Sequence, residues 1–360
     1  MRISFFGSSI VSAYWNGACT YYRGIIRALH DLGHEITFLE PDALDRQSHR
    51  DIPDPPYSRV VVYPAGEERV VRDVVAEAAD ADLVVKASGV GVHDALLEAA
   101  VLDCRQPGST VIFWDVDAPA TLGRMEADSG DSLRALIPDY DLVLTYGGGD
   151  PVVERYRALG ARRCVPIFNA VDPQTHHPVE PDPRFTGDLG ALVNRLPDRE
   201  ARVEDFFFSA IDALPDRRFL LGGAGWDDRV AGVANLRYLG HVSPAAHNAF
   251  NCSPLAVLNI TRDSMVANGY SPATRVFEAA GAGACLISDT WVGLDQFLTP
   301  GEEVIACRSG AEVAAALAAL EPEEARRIGA RARERMLAEH TYEIRGRQVQ
   351  AVLESAGVGA

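Results

Sequence analysis

Short apolar runs alternate with longer amphipathic stretches from one end of this chain to the other. Ile3 to Gly7 reads as a buried strand, apolar on both faces. Cys19 to Leu32 places Ile25, Ile26, Leu29 and Leu32 on one helical face, and Gly33 ends it before a strand from Glu35 to Glu40. The cycle repeats as strand 59–63 and helix 67–79, strand 82–87 and helix 93–103, strand 110–115 and helix 128–136, and strand 141–146 and helix 151–159. Cys164 to Phe168 closes this first set. Residues 169–187 then hold four prolines, two adjacent histidines and few large apolar side chains, the composition of a linker. A second set follows: strand 189–193, helix 200–213, strands 218–222 and 236–239, helix 244–251, strand 255–260, helix 272–281 and strand 284–288. Helices near 310–320, 322–338 and 342–356 end the chain. Strand–helix alternation of this kind builds parallel sheets covered on both faces. The expected fold is α/β: two Rossmann-like doubly wound domains, 1–168 and 188–340, with a last helix in 341–360 packing back on the first. Ligands are expected at the carboxyl ends of the strands, in a central cleft.

Composition narrows the function. The formal net charge is −17, which argues against a broad basic face for nucleic acid or an anionic membrane. No apolar stretch reaches the ~20 residues of a membrane span. The amino terminus runs directly into a strand, so it does not read as a signal peptide. Six cysteines are scattered without a CxxC pair, which suits buried free thiols in a reducing cytoplasm. A cytoplasmic location is therefore expected.

Polar clusters fall at the predicted strand ends. The first loop, Gly7 to Gly17, lacks G-x-G-x-x-G, which removes the main support for a nicotinamide or flavin enzyme. Its Tyr14, Trp15, Asn16 and Gly17 suit contacts to a sugar or acceptor, and Glu40 and Asp42 read as surface acids. Asp115 and Asp117 end the fifth strand two residues apart, so an extended chain would point both the same way. One could orient a hydroxyl or act as a base; alternatively one caps the next helix while the other is solvated. Tyr146-Gly147-Gly148-Gly149 could cradle a ligand or simply turn into a helix capped by Asp150. In the second half, Asn194, Arg195, Arg199 and Arg202 crowd a strand-to-helix turn. Arginine forks match diphosphate oxygens, although salt bridges to Asp198, Glu200 and Asp205 are the structural alternative. Gly223 lies in a glycine turn after the next strand.

Asn268 to Asp289 is the most informative segment. Ser271 reads as an N-cap with Pro272 in the first helical position, followed by Thr274, Arg275 and Glu278. A helix start suits a phosphate, and a carboxylate farther along could accept bonds from ribose hydroxyls. The alternative is a capped helix that binds nothing.

These residues resemble GT-B glycosyltransferases of the CgeB-like (spore maturation protein-like) type, related to retaining group 1 glycosyltransferases. The resemblance spans nearly the whole chain. It rests on Asn194 to Arg202, Ser271 to Ala280, Ile287 to Asp289, Pro300 to Glu303, His340 to Tyr342, and more loosely on Asp115 to Pro119 and on Asn16, Gly17, Thr20 and Arg23. It implies transfer of a sugar from a nucleotide diphosphate sugar, a UDP-sugar first, to an unidentified acceptor that is a saccharide, natural product or protein. It implies no metal and no cofactor beyond the donor. Glu278 would bind the ribose, Arg195 and Arg199 the diphosphate, and Ser271 to Arg275 would line the phosphates or sugar. Two departures stand out. Tyr270 occupies the position where retaining relatives often carry a second glutamate, and Ala18 replaces a histidine after Asn-Gly. They leave open a catalytically inactive nucleotide-sugar or carbohydrate-binding protein of the same fold. A nucleotide-sugar 2-epimerase would need acids and a histidine around the sugar, a set not legible here.

Overall fold

The computed structural model describes residues 1–14 and 16–357; Trp15 and the last three positions lie outside the described residues. Two compact units emerge, one comprising Met1–Asn169 with the segment from Tyr342 onward, the other Ala170–Thr341.

In the first unit the apolar runs form β1 (Arg2–Phe6), β2 (Glu35–Asp42), β3 (Arg59–Pro64), β4 (Leu83–Ala87), β5 (Thr110–Asp115), β6 (Leu142–Thr145) and β7 (Cys164–Pro166). They pair in parallel in the order β3-β2-β1-β4-β5-β6-β7. Both faces are covered, so β4 is buried at every position. The helix Tyr342–Ser355 packs on the helix Cys19–Asp31 within this unit. Two glycines permit the approach: a Cβ on Gly24 would sit 2.2 Å from the Tyr342 ring, and one on Gly346 2.7 Å from Ala28. Arg345 Nε, from the same last helix, donates to the Phe168 carbonyl at 3.1 Å.

The second unit holds β8 (Leu189–Leu192), β9 (Phe219–Gly222), β10 (Leu236–Gly240), β11 (Ala256–Asn259), β12 (Leu286–Asp289) and β13 (Ile305–Cys307). Their order is β10-β9-β8-β11-β12-β13, all parallel. Its core gathers Phe206, Phe207, Phe208, Trp226, Ile287 and Leu317 among others. Strand order reverses between β8 and β11, and in open α/β sheets that crevice at the carboxyl ends is where ligands bind.

Several local expectations shift. The helix after β5 begins at Ala118, with Asp117 at its N-cap and Pro119 in its first turn, and ends at Ala127; a separate short helix spans Ser132–Leu136. Pro119 suits the first turn of the former, and Gly130 lies in the turn that separates the two. The helix after β6 starts at Gly149 rather than beyond Asp150, because Gly148 takes φ +96° at its N-cap. Residues 170–187, proline-rich as a linker would be, run along the second unit. Val171 bridges to Thr341, and its N–H bonds the His340 carbonyl at 2.8 Å.

Candidate donor site

The carboxyl ends of β8, β11 and β12 converge on a cluster of arginines and aspartates. The loop after β8 delivers Asp198, Arg199 and Arg202; the loop after β11 delivers Arg262 and Asp263; β12 ends in Asp289. Asp198 knits the first two loops. It accepts from Arg262 Nε at 2.9 Å and Ser264 Oγ at 2.8 Å, while its own carbonyl accepts from the Asp263 N–H at 2.7 Å. Asp289 is fully buried and accepts from Arg202 Nη2 at 2.5 Å and from the N–H and hydroxyl of Thr261. Burial pushes its carboxyl up despite Arg202. Arg202 is thereby a structural anchor of the cluster.

Arg199 is different. Its Nε is buried and has no hydrogen-bond partner among the described residues. Burial, then repulsion from Arg262 and Arg275, pulls its guanidinium below its ordinary value, with Asp198 and Asp289 opposing. A cation stripped of water and crowded by like charge is relieved by an anion. Arg275 Nε is likewise buried without a partner.

Glu278 lies on the helix Thr274–Gly281 and is only 8% exposed. Arg275, one turn earlier, places Nη1 3.0 Å from its Oε2, an ion pair whose angle is too poor for a hydrogen bond. His176 Nε2 lies 3.7 Å from Oε1 and His247 Nδ1 3.7 Å from Oε2. Burial by itself would raise this carboxyl. Arg275, with the two histidines, overcomes that and holds it well below the usual carboxylate range. A buried carboxylate that stays ionised is a strong acceptor for a pair of hydroxyls. Close packing of the proline-rich segment brings His176 here: a Cβ on Gly281 would lie 2.4 Å from Val171 and 3.5 Å from His176.

Other expected residues are placed otherwise. Ser271 is no N-cap. Its hydroxyl donates to the Gly269 carbonyl at 2.9 Å, and the helix starts two residues later with Ala273 at the cap. Pro272 is followed by an extended Ala273, so the helical turn is delayed. Thr274 is the first helical residue. Tyr270 adopts φ +45°, and its N–H bonds the Val292 carbonyl at 2.6 Å. Its ring lies over Gly293, where a Cβ would come within 2.2 Å of it. Arg195 is held away from Arg199 by Glu200 at 2.5 Å and Asp228 at 2.7 Å, and stacks at 5.4 Å on Trp226. Asn194 accepts from the Ala224 N–H at 3.0 Å, and Gly223 at φ +122° passes so close to Val193 that a Cβ would lie 2.1 Å from its carbonyl oxygen. These three residues pack the loop after β8 against the loop after β9.

In the first unit, Asp115 is completely buried and accepts from Ser88 Oγ at 2.7 Å, Thr121 Oγ1 at 2.8 Å, Tyr156 Oη at 2.5 Å and the Asp117 N–H at 3.0 Å. Burial raises its carboxyl. These four donors make it a brace at the end of β5, a structural role that the expectation of a catalytic Asp115 did not include. Asp117 is only half-buried where Asp115 is fully buried, and at φ −148°, ψ 62° it turns the chain into the next helix. Asn16 is also a brace. It donates to the Ser9 and Ser12 carbonyls and accepts from Ser8 Oγ at 2.9 Å. Glu40, expected on the surface, is fully buried, accepting from Ser9 Oγ at 2.9 Å and the Ile10 N–H at 2.7 Å. Gly17 is exposed. Tyr146 packs edge-on against Tyr21 at 4.9 Å, beside Gly147.

Arg262, His247 and His176 were not singled out from sequence, and Asp289 only as the end of the Ile287 to Asp289 motif. The adjacent histidines at 176 and 177 were visible only as part of a proline-rich stretch. A strand ending in aspartate, at Asp289, was the one local signal.

In fold the chain is of the GT-B glycosyltransferase type. Residues 199–351, which include Arg199, Arg275 and Glu278, match the family model described as glycosyl transferase-like. Sucrose-phosphate synthase from Thermosynechococcus elongatus superposes with a TM-score of 0.74 at 14% identity, covering 100% of each chain. HepE of Anabaena, described in complex with UDP-glucose, superposes at 0.67 and 14% identity, covering 99% of this chain and 100% of that one. A structure described as trehalose-6-phosphate from E. coli bound with UDP-2-fluoro glucose gives 0.68 at 11% identity, covering 99% of each. No curated protein sequence matches the chain. Among the described residues, no helix is long and apolar enough to cross a membrane.

Proposed function

We propose that this protein is a glycosyltransferase that moves a sugar from a nucleotide diphosphate sugar, a UDP-sugar first, to an unidentified acceptor. The observation that carries the reading is the pairing of an ionised, buried Glu278 with the unsatisfied arginines Arg199 and Arg275 in one sheet-end cluster. The carboxylate suits ribose hydroxyls, and the guanidinium groups suit the diphosphate. As the glycosidic bond breaks, negative charge grows on the departing diphosphate. Arginines already aimed there stabilise the transition state more than the bound donor. The UDP-sugar complexes among proteins of the same fold support this donor class. Transfer with retention, membership of the CgeB-like branch and a cytoplasmic location belong to the same reading. Asp117, Gly17, Tyr146 and Gly147 are its acceptor-side residues.

Charge on the diphosphate is met by arginine, so the reaction proceeds without a divalent cation. The test is hydrolysis or transfer from UDP-, GDP- and dTDP-sugars in excess chelator. Turnover of one donor that survives EDTA is expected. Turnover lost in EDTA and restored by Mn2+ would overturn metal independence. Binding without turnover of any donor would favour a non-catalytic sugar-nucleotide binder.

A further inference from the structure

Each of the two histidines beside Glu278 has one ring nitrogen engaged by a protein oxygen and the other turned toward the carboxylate. His247 Nε2 lies 3.3 Å from the Val242 carbonyl, which can only accept, so Nε2 carries the proton. The other ring nitrogen, Nδ1, lies 3.7 Å from Glu278 Oε2. At His176, Thr175 Oγ1 lies 3.2 Å from the Asp172 carbonyl and 3.0 Å from His176 Nδ1. Thr175 Oγ1 thus engages Nδ1, and the other ring nitrogen, Nε2, lies 3.7 Å from Glu278 Oε1. Two ring nitrogens and a carboxylate thus converge, their ligand atoms all within 4.8 Å of one another.

We propose that His176, His247 and Glu278 form a binding site for a borderline transition-metal dication, zinc above all, that competes with the nucleotide sugar for Glu278. Two imidazoles and one carboxylate are a known ligand set for an open zinc site with a fourth position left for water. Each ring nitrogen that faces away from the site is already hydrogen-bonded to a protein oxygen, the outer support that metal-bound histidines use. Nitrogen donors select zinc, cobalt or nickel over magnesium and calcium, which take oxygen ligands. Separations of 3.7 Å are a few tenths of an ångström wider than the ~3.4 Å between ligand atoms around a tetrahedral ion with ~2.0–2.1 Å bonds, so small side-chain rotations close the set on the ion. Arg275, 3.0 Å from Oε2, is the opposing charge, and Asp172 is the supporting one near His176. The metal is an inhibitor in this scheme, so activity in chelator and metal binding are compatible. The competition clause rests on the donor reading above; the metal site does not.

The experiment is titration of the whole protein with Zn2+ by calorimetry, together with Co2+ absorption spectroscopy. One tight equivalent is expected, with Co2+ bands of tetrahedral intensity. His247→Ala and His176→Ala should each weaken it by more than the ~10–100-fold that loss of an outer-shell partner costs. His241→Ala, at an exposed histidine just after β10, should leave it unchanged. Arg275→Gln, which removes the opposing charge, should tighten it. Metal binding that is absent, or unaltered in a folded His176/His247 double variant, overturns the site. The second arm measures UDP affinity with and without one equivalent of Zn2+. Weakened UDP binding supports competition. Metal binding that leaves UDP affinity untouched overturns competition and removes Glu278 from the donor site, while the metal site stands.

Discussion

Replacing Glu278 tests the site most directly. The carboxylate is 8% exposed, and Arg275 is 3.0 Å away with its side chain 16% exposed. Removing one member of a buried pair strands the other, at about 3–5 kcal/mol for full burial; residual exposure of Arg275 puts Glu278→Ala near the lower end, about 3 kcal/mol. Glu278→Gln keeps the shape and one acceptor, and it separates binding from folding. Charge-assisted bonds from the carboxylate to ribose hydroxyls contribute about 1.5–3 kcal/mol, or roughly ten- to a hundredfold in affinity for UDP. The assay is calorimetric UDP binding by the parent and Glu278→Gln, with urea unfolding of both. The same carboxylate sets a pH signature. Its folded-state pKa lies below the ordinary value of 4.5. Its stabilisation is therefore present above pH 4.5 and is lost as pH falls through that value toward the folded one. Glu278→Gln should flatten the acid limb of the parent's stability curve. A Glu278→Gln protein that binds UDP as tightly as the parent would refute the ribose assignment. An unchanged acid limb would refute the ion-pair argument.

Further outcomes follow from the same geometry. Arg199→Ala should lower kcat more than it raises KM for the donor, and Arg199→Lys should not restore kcat, because a point charge lacks the fork; equal rates at saturating donor would point elsewhere. Asp115→Ala should cost roughly 1–3 kcal/mol for each buried donor left unsatisfied among Ser88, Thr121, Tyr156 and the Asp117 N–H, read by urea unfolding. Any activity of its folded fraction should match the parent. Gly24→Ala should destabilise the packing of the last helix by about 1–3 kcal/mol, since its Cβ would meet the Tyr342 ring at 2.2 Å, and protease release of the carboxyl-terminal segment would report it.

Much of the fold was legible because its signals are local. Buried parallel strands appear as short apolar runs, helices as a period near four, and glycines mark the ends. Arg275 and Glu278 sit three residues apart on one helix, so their partnership also follows from spacing. Spacing failed where the chain changes conformation within the motif. Asp115 and Asp117 would share a face only in an extended strand, but the strand ends at Asp115 and Asp117 caps a helix. It failed again where burial depends on what covers a strand end. Nothing local distinguishes a solvated Glu40 or Asn16 from the buried braces they prove to be.

The sequence by itself determined two sets of strand–helix units and where each strand ends, because periodicity and turn chemistry act over a few residues. Which strand ends meet, and what surrounds each polar group there, was decided only by tertiary structure. The reversal of order between β8 and β11 brings Arg199 to Arg262 and, through β12, to Asp289. The packing of residues 170–187 on the Glu278 helix turns a proline-rich stretch into a wall of the site, with His176 against the carboxylate. Parallel sheets join residues far apart in the chain, and no local pattern encodes a contact whose partner lies a whole crossover away.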